Sequence, residues 1–227
     1  KPALSNWTVL MHELRFGLTA PALCSYLEAQ QEQLVFTAEG DLWQGSLNSE
    51  QARRITSHAA EETQPLLSPD GSQLAFVADY DGAAEIYLMP LAGGVAKRIS
   101  YENSRVRIQQ WLADGRILYA TDSAAGPANY WLLKTVDPVS LATETLPLAD
   151  ASGGSIDEQG GNVFFSRFGL QLTGDNSKVY RGGAMGELWR WTLGSKDEAV
   201  LLSKGHNGSI SQPLFYQGRV YFVSDAD

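Results

Sequence analysis

Three histidines (His12, His58, His206) and one cysteine (Cys24) are the groups in these 227 residues best suited to acid–base, nucleophilic or metal chemistry at neutral pH. Their spacing builds no familiar site. There is no His-x-x-x-His and no Cys-x-x-Cys, so a zinc centre has no ligand set. Gly153-Gly154-Ser155-Ile156-Asp157 opens like a nucleophile elbow and then lacks its closing glycine. Phosphate-cradling Gly-x-x-x-x-Gly-Lys and Gly-x-Gly-x-x-Gly are absent. Asp79, Asp81 and Glu85, around Gly82, offer oxygen ligands to calcium, but not in the order of a calcium loop; the spacing suits a solvated hairpin turn. His58 reads either as a group lining a channel face or as a loop histidine bonded to backbone. The most specific segment is Tyr180-Arg181-Gly182-Gly183, three residues before Glu187-Leu188-Trp189. Glycines there open backbone conformations closed to other residues, and an arginine beside an aromatic can hold a carboxylate. Tyr180, Arg181, Gly182, Gly183 and His58 are therefore the candidate contacts to a peptide or a neighbouring domain. The alternative for the glycine run is a wide loop between two strands. No residue qualifies as catalytic, cofactor-binding or metal-ligating, and no cofactor is implied.

What must position these residues follows from composition and repetition. With 17 Lys+Arg against 26 Asp+Glu the net charge is −9, which argues against nucleic acid and against anionic lipid as partners. No window of about 18 apolar residues exists to span a membrane. A lone cysteine makes no internal disulfide, and Cys24 in its apolar run reads as a small buried hydrophobe. Charged residues are only 19%, while Gly 22 and Pro 9 punctuate the chain often, which suits short strands and turns.

A strand core recurs: Leu34-Val35-Phe36-Thr37, Leu74-Ala75-Phe76-Val77, Ile117-Leu118-Tyr119-Ala120, Val163-Phe164-Phe165-Ser166 and Val220-Tyr221-Phe222-Val223. Turns precede the later cores, as in Ser68-Pro69-Asp70-Gly71 and Ala113-Asp114-Gly115. An aromatic strand follows each of the first four: Asp41-Leu42-Trp43, Glu85-Ile86-Tyr87, Asn129-Tyr130-Trp131 and Glu187-Leu188-Trp189. Short closing strands come next, at Arg54-Ile55-Thr56, Arg98-Ile99-Ser100, Thr145-Leu146 and Leu201-Leu202-Ser203. The period of about 40–50 residues is that of a propeller blade. The fold class expected is all-β, a propeller of four-stranded antiparallel blades, with about four and a half blades present. They fall at 21–58, 64–100, 108–147 and 153–203, with a half blade at 212–227 whose apolar edge needs a second chain or further residues to cover it. Trp189 is expected between blades. Residues 1–20 form an extension with a short amphipathic helix suggested by Trp7, Leu10, Met11, Leu14 and Leu18.

The Tyr180-Arg181-Gly182-Gly183 run before Gly186-Glu187-Leu188-Trp189 resembles the tricorn proteases. So do Val35–Trp43 with Arg54-Ile55-Thr56-Ser57-His58, and the closing stretch Gly218–Asp227. The resemblance implies part of the first, six-bladed propeller of a large serine peptidase that cuts oligopeptides. Its catalytic domain would lie outside this chain, and the propeller would scaffold and gate peptide access. It also implies partners in oligopeptides and the remaining domains of a larger chain, a homo-oligomeric parent, and a periplasmic location (alternatively cytoplasmic). The competing expectation is a TolB-like propeller that only binds other proteins, because Ser-Pro-Asp-Gly turns are shared with that group. A sugar-active propeller is a third, and would need paired inward carboxylates from among Asp157, Glu158 and Asp175.

Overall fold

The computed structural model describes residues 26–30, 32–49, 51–123, 130–167 and 185–226. The expected helix within 1–20, Cys24, and the run Tyr180–Gly183 lie outside these. The described secondary structure is strand, turn and loop, organised in two compact units, Lys1–Tyr101 and Glu102–Asp227.

In the first unit, β1 (Tyr26–Gln30), β2 (Gln33–Ala38), β3 (Asp41–Ser46) and β4 (Ala52–Arg54) form one antiparallel sheet in chain order. A second follows the same plan with β5 (Glu62–Leu67), β6 (Gln73–Ala78), β7 (Glu85–Pro90) and β8 (Lys97–Arg98). In the second unit, β9 (Val106–Trp111), β10 (Ile117–Thr121), β11 (Leu132–Val136) and β12 (Thr143–Thr145) make a third sheet. The fourth comprises β13 (Ala151–Ile156), β14 (Asn162–Arg167), β15 (Glu187–Thr192) and β16 (Val200–Leu201). A two-stranded sheet, β17 (Ile210–Tyr216) and β18 (Arg219–Ser224), completes the set. Each four-stranded unit is a propeller blade, the architecture that the repeat predicts.

The recurring cores occupy the second strand of each sheet, and in the four-stranded sheets both faces of that strand are covered, whereas β18 is largely exposed. Leu74, Ala75, Phe76, Val77 and Ala78 are all buried in succession, which a half-exposed strand would not tolerate. Turn chemistry sets the register. Gly71 takes φ +70 and donates to the Ser68 carbonyl at 2.8 Å, while the Asp70 carboxylate accepts from the Ser68 hydroxyl and the Ser72 amide. Those donors hold Asp70 down at about 2. Consecutive sheets within a unit are joined by one recurring backbone bond. The amide that opens the first strand of a sheet donates to the residue just before the third strand of the preceding sheet. The pairs are Glu62 to Gly40 (2.8 Å), Ala151 to Trp131 (2.8 Å) and Ile210 to Gly186 (2.9 Å).

One aromatic expectation needs correction. In the third sheet the aromatic position of the third strand is held by Lys134, which pairs with Tyr119 as Trp43 pairs with Phe36. Trp131 lies three residues earlier, before β11, buried at 2% exposure with Arg107 4.2 Å above its ring. Matching by residue type shifted this strand by three, because nothing in Asn129-Tyr130-Trp131 shows where pairing starts. Trp189 lies where expected, partly buried against the core shared by the third and fourth sheets, with its indole donating to Glu187 at 2.9 Å, while Trp191 is buried within that core. Glu187, Trp189 and Trp191 share a face, and the end of that face near Glu187 is more open.

Candidate functional site

His58 sits in the loop after β4, exposed, in the first unit. Its amide donates to Asp41 at 3.3 Å, its Nδ1 accepts from the Ala60 amide at 3.0 Å, and its ring lies 4.3 Å from that of Tyr80. Tyr80 in turn contacts Tyr87, with ring centroids 4.6 Å apart. Beneath them is Glu62, whose side chain is fully buried. Its two oxygens accept from the Tyr80 hydroxyl at 2.6 Å and the Thr56 hydroxyl at 2.8 Å. Burial, the largest influence, with help from the nearby Asp41 charge, pushes Glu62 above its ordinary value; Tyr80, Thr56 and His58 oppose this. A carboxyl with a raised pKa beside an imidazole is what an acid–base site needs. Here, however, both oxygens are consumed by structural donors, and the group has no open face. The cluster is a lock between the first two sheets.

Its titration has a definite sign. A carboxyl raised on folding adds stability below its unfolded value, near 4.5, and loses it as pH climbs through the folded value. Glu62→Gln should therefore flatten the fall in stability above pH 4.5 expected of the natural protein. Urea midpoints across pH 4.5–8 for both proteins check this; parallel curves would remove Glu62 as the titrating group.

The same local device recurs one sheet on, and it explains the Arg-Ile-Thr/Ser spacing. Arg54 pairs with Asp41 at 3.0 Å and donates through Nε to the Thr56 carbonyl at 2.9 Å. Arg98 pairs with Glu85 at 2.9 Å and donates through Nε to the Ser100 carbonyl at 2.9 Å. The Thr56 and Ser100 hydroxyls accept the Leu42 and Ile86 amides, both at 2.8 Å, and Ser100 also donates to Glu85. Each arginine thus ties the fourth strand to the acid that opens the third. Glu85 is turned inward to Arg98, and Asp81 accepts from the Tyr87 hydroxyl at 3.2 Å, so the acids around Gly82 do not converge.

In the second unit the first strands of the sheets, β9, β13 and β17, carry the most distinctive chemistry. Gln110 lies across the open edge of β13: its Nε2 donates to the Ile156 carbonyl at 3.1 Å and its Oε1 accepts the Ile156 amide at 2.7 Å. Gln109 accepts the Gly154 amide at 3.0 Å, and Ser155 accepts the Phe215 amide of β17 at 2.8 Å. Side chains thus stand in for a missing strand along that edge. Asp157 and Glu158 do not pair as a sugar-cleaving site would need. Asp157 caps its turn through Gly161 and Asn162, both at 2.7 Å, and Glu158 accepts the Gln217 amide at 3.2 Å.

One arrangement escaped sequence reasoning. His206 Nε2 lies 2.7 Å from the Ser224 hydroxyl, a spacing suited to a base and its nucleophile. Ser224 Oγ also accepts the Ala226 amide at 3.1 Å, and among the described residues no carboxylate is bonded to His206. The pair fastens the loop after β16 to β18. A shallow cleft of about 230 Å³ opens beside it, between Met185, Gly186, Lys204 and Gly208. Nothing in the sequence signals that 206 and 224 meet, because the contact depends on how β17 and β18 fold back.

A family profile described as the tricorn protease N-terminal beta propeller domain matches residues 21–227. The chain belongs to this family. Tricorn protease homolog 1 of Streptomyces coelicolor is 32% identical over 216 residues, which cover 92% of this chain and 20% of that protein. The crystal structure of the tricorn protease superposes with a TM-score of 0.74 at 21% identity, covering 90% of this chain and 20% of that one. A TolB protein from Agrobacterium tumefaciens superposes at 0.72 with 19% identity, covering 91% and 72%, and shares the fold. The chain spans about a fifth of the length of these two tricorn proteins.

Proposed function

We propose that this chain is a non-catalytic propeller wall of a tricorn-type serine peptidase, scaffolding and gating the passage of oligopeptides to a catalytic domain outside it. Membership of the tricorn propeller family supports the setting. The observation that carries the gating role is the rim formed by β13 in the second unit. Its backbone at Gly154 and Ile156 is buried and is bonded by the neutral amides of Gln109 and Gln110 of β9 instead of by a further strand. Such a rim passes an extended peptide without capturing it as an extra strand. The TolB-like reading rests on likeness of fold alone.

In the parent peptidase, replacing Gln109 and Gln110 together by alanine should change the ratio of hydrolysis rates for long against short oligopeptides. The rate for the shortest peptide should stay as it was. An unchanged ratio would reduce the segment's role to scaffolding.

A further inference from the structure

We infer that Asn207 is a built-in site of spontaneous succinimide chemistry, converting in the folded protein to aspartate and isoaspartate. Four Asx-Gly steps lie among the described residues, and three are restrained. At Asp70-Gly71 the carboxylate is held by Ser68 and Ser72, and the glycine amide donates to Ser68 at 2.8 Å. At Asp114-Gly115 the carboxylate is clamped by Arg116 at 2.8 Å and the glycine amide donates to Leu112 at 3.0 Å. At Asp81-Gly82 the carboxylate accepts the Tyr87 hydroxyl. Asn207-Gly208 differs. Asn207 is exposed, and among the described residues neither its side-chain amide nor the Gly208 amide has a hydrogen-bond partner. It is also the only asparagine followed by glycine, and a carboxamide reacts more readily than an ionised carboxylate.

The steps balance with water as the sole co-reactant. The Gly208 nitrogen attacks Asn207 Cγ, an N–Cγ bond forms, the Cγ–Nδ2 bond breaks, and ammonia leaves with the proton from the Gly208 amide. Water then opens the five-membered imide. Cleavage at the side-chain carbonyl gives aspartate; cleavage at the main-chain carbonyl gives isoaspartate, with an added methylene in the backbone.

The position gives the change a structural effect. Gly208 packs on the backbone of Ala226, where even a Cβ would come within 2.6 Å of the Ala226 nitrogen. Asp225 beside it accepts the Ser209 amide at 2.5 Å, and His206 binds Ser224. A longer, newly anionic backbone there opposes the contacts that hold β17 and β18 to the loop.

The test is incubation of the full chain, native and urea-unfolded, at mildly alkaline pH, with peptide mapping and isoaspartyl methyltransferase labelling. Native conversion at Asn207 should stay within about tenfold of the unfolded rate, asparagine being a thermolabile residue, and exceed that at every other asparagine. Asn207→Gln should remove most of the label from the native protein. Aged protein should unfold at lower urea than fresh protein, and Asn207→Gln should not shift with age. Suppression of the native rate by more than about tenfold, or native label undiminished in Asn207→Gln, would overturn the inference.

Discussion

Gly186→Ala should be the most damaging glycine-to-alanine substitution among the described residues, lowering stability by about 3–5 kcal/mol in urea unfolding. A Cβ built on Gly186 overlaps the Ile210 carbonyl oxygen and approaches the Ser209 hydroxyl to 3.0 Å. The obstacle is backbone, so no rotamer change relieves it. Separation would break two bonds, from Gly186 N to Ser209 Oγ (2.8 Å) and from Ile210 N to the Gly186 carbonyl (2.9 Å). Overpacking typically costs about 1–3 kcal/mol, and each lost bond adds about 1 kcal/mol. Gly194→Ala is the matched control. Its φ of +73 is unfavourable for alanine, but nothing lies within 4 Å, so about 1–2 kcal/mol is expected. Equal losses at both positions would show that backbone conformation, and not close approach, makes Gly186 sensitive.

Arg98→Ala should cost about 3–5 kcal/mol, because it removes the guanidinium that pairs with the buried Glu85 carboxylate. The Glu85 side chain has no solvent exposure, and Arg98 supplies its ion pair at 2.9 Å. The loss exceeds what the pair itself contributes, since stranding a buried charge is worse than never having had one. A double variant, Arg98→Ala with Glu85→Leu, should recover much of it. Measuring all four proteins closes the cycle; a double variant no more stable than the single one would place the effect in the arginine's packing over Tyr101, 4.5 Å from its ring. The equivalent Arg54→Ala should cost less, because Arg54 is 44% exposed at its side chain and solvent can reach Asp41 in its absence.

The blade repeat was legible because propeller blades repeat their burial. The second strand of each four-stranded sheet is covered on both faces, so Leu34–Thr37, Leu74–Val77, Ile117–Ala120 and Val163–Ser166 stand out as apolar runs with turn glycines ahead of the later ones. The Arg-Ile-Thr and Arg-Ile-Ser spacings were visible too, though their meaning was not. Which acid each arginine reaches depends on pairing across β3–β4 and β7–β8, and a linear reading cannot supply that. The third strand of the third sheet misled for a similar reason. Lys134 replaces an aromatic there because Glu102 needs a cation: it receives Lys134 at 2.8 Å along with the hydroxyls of Tyr119 and Ser123. Burial alone would raise Glu102, but those donors together hold it below its usual range. The His206–Ser224 contact left no local trace, since it joins residues 18 apart through a hairpin.

The glutamine amides along β13 carry a consequence for how safely this protein can be made and stored. A strand at the border of a sheet is a template on which any extended polypeptide can crystallise a new layer, and proteins commonly blunt such borders with lysine or proline. Here the template at Ile156 and Gly154 is already occupied by Gln110 and Gln109. Their amides copy the donor and acceptor of a peptide bond but end after one residue, so growth stops where it would begin. Because amides do not titrate, the plug should hold equally in acid and at neutrality, and in dilute or concentrated salt, conditions under which a lysine guard would weaken.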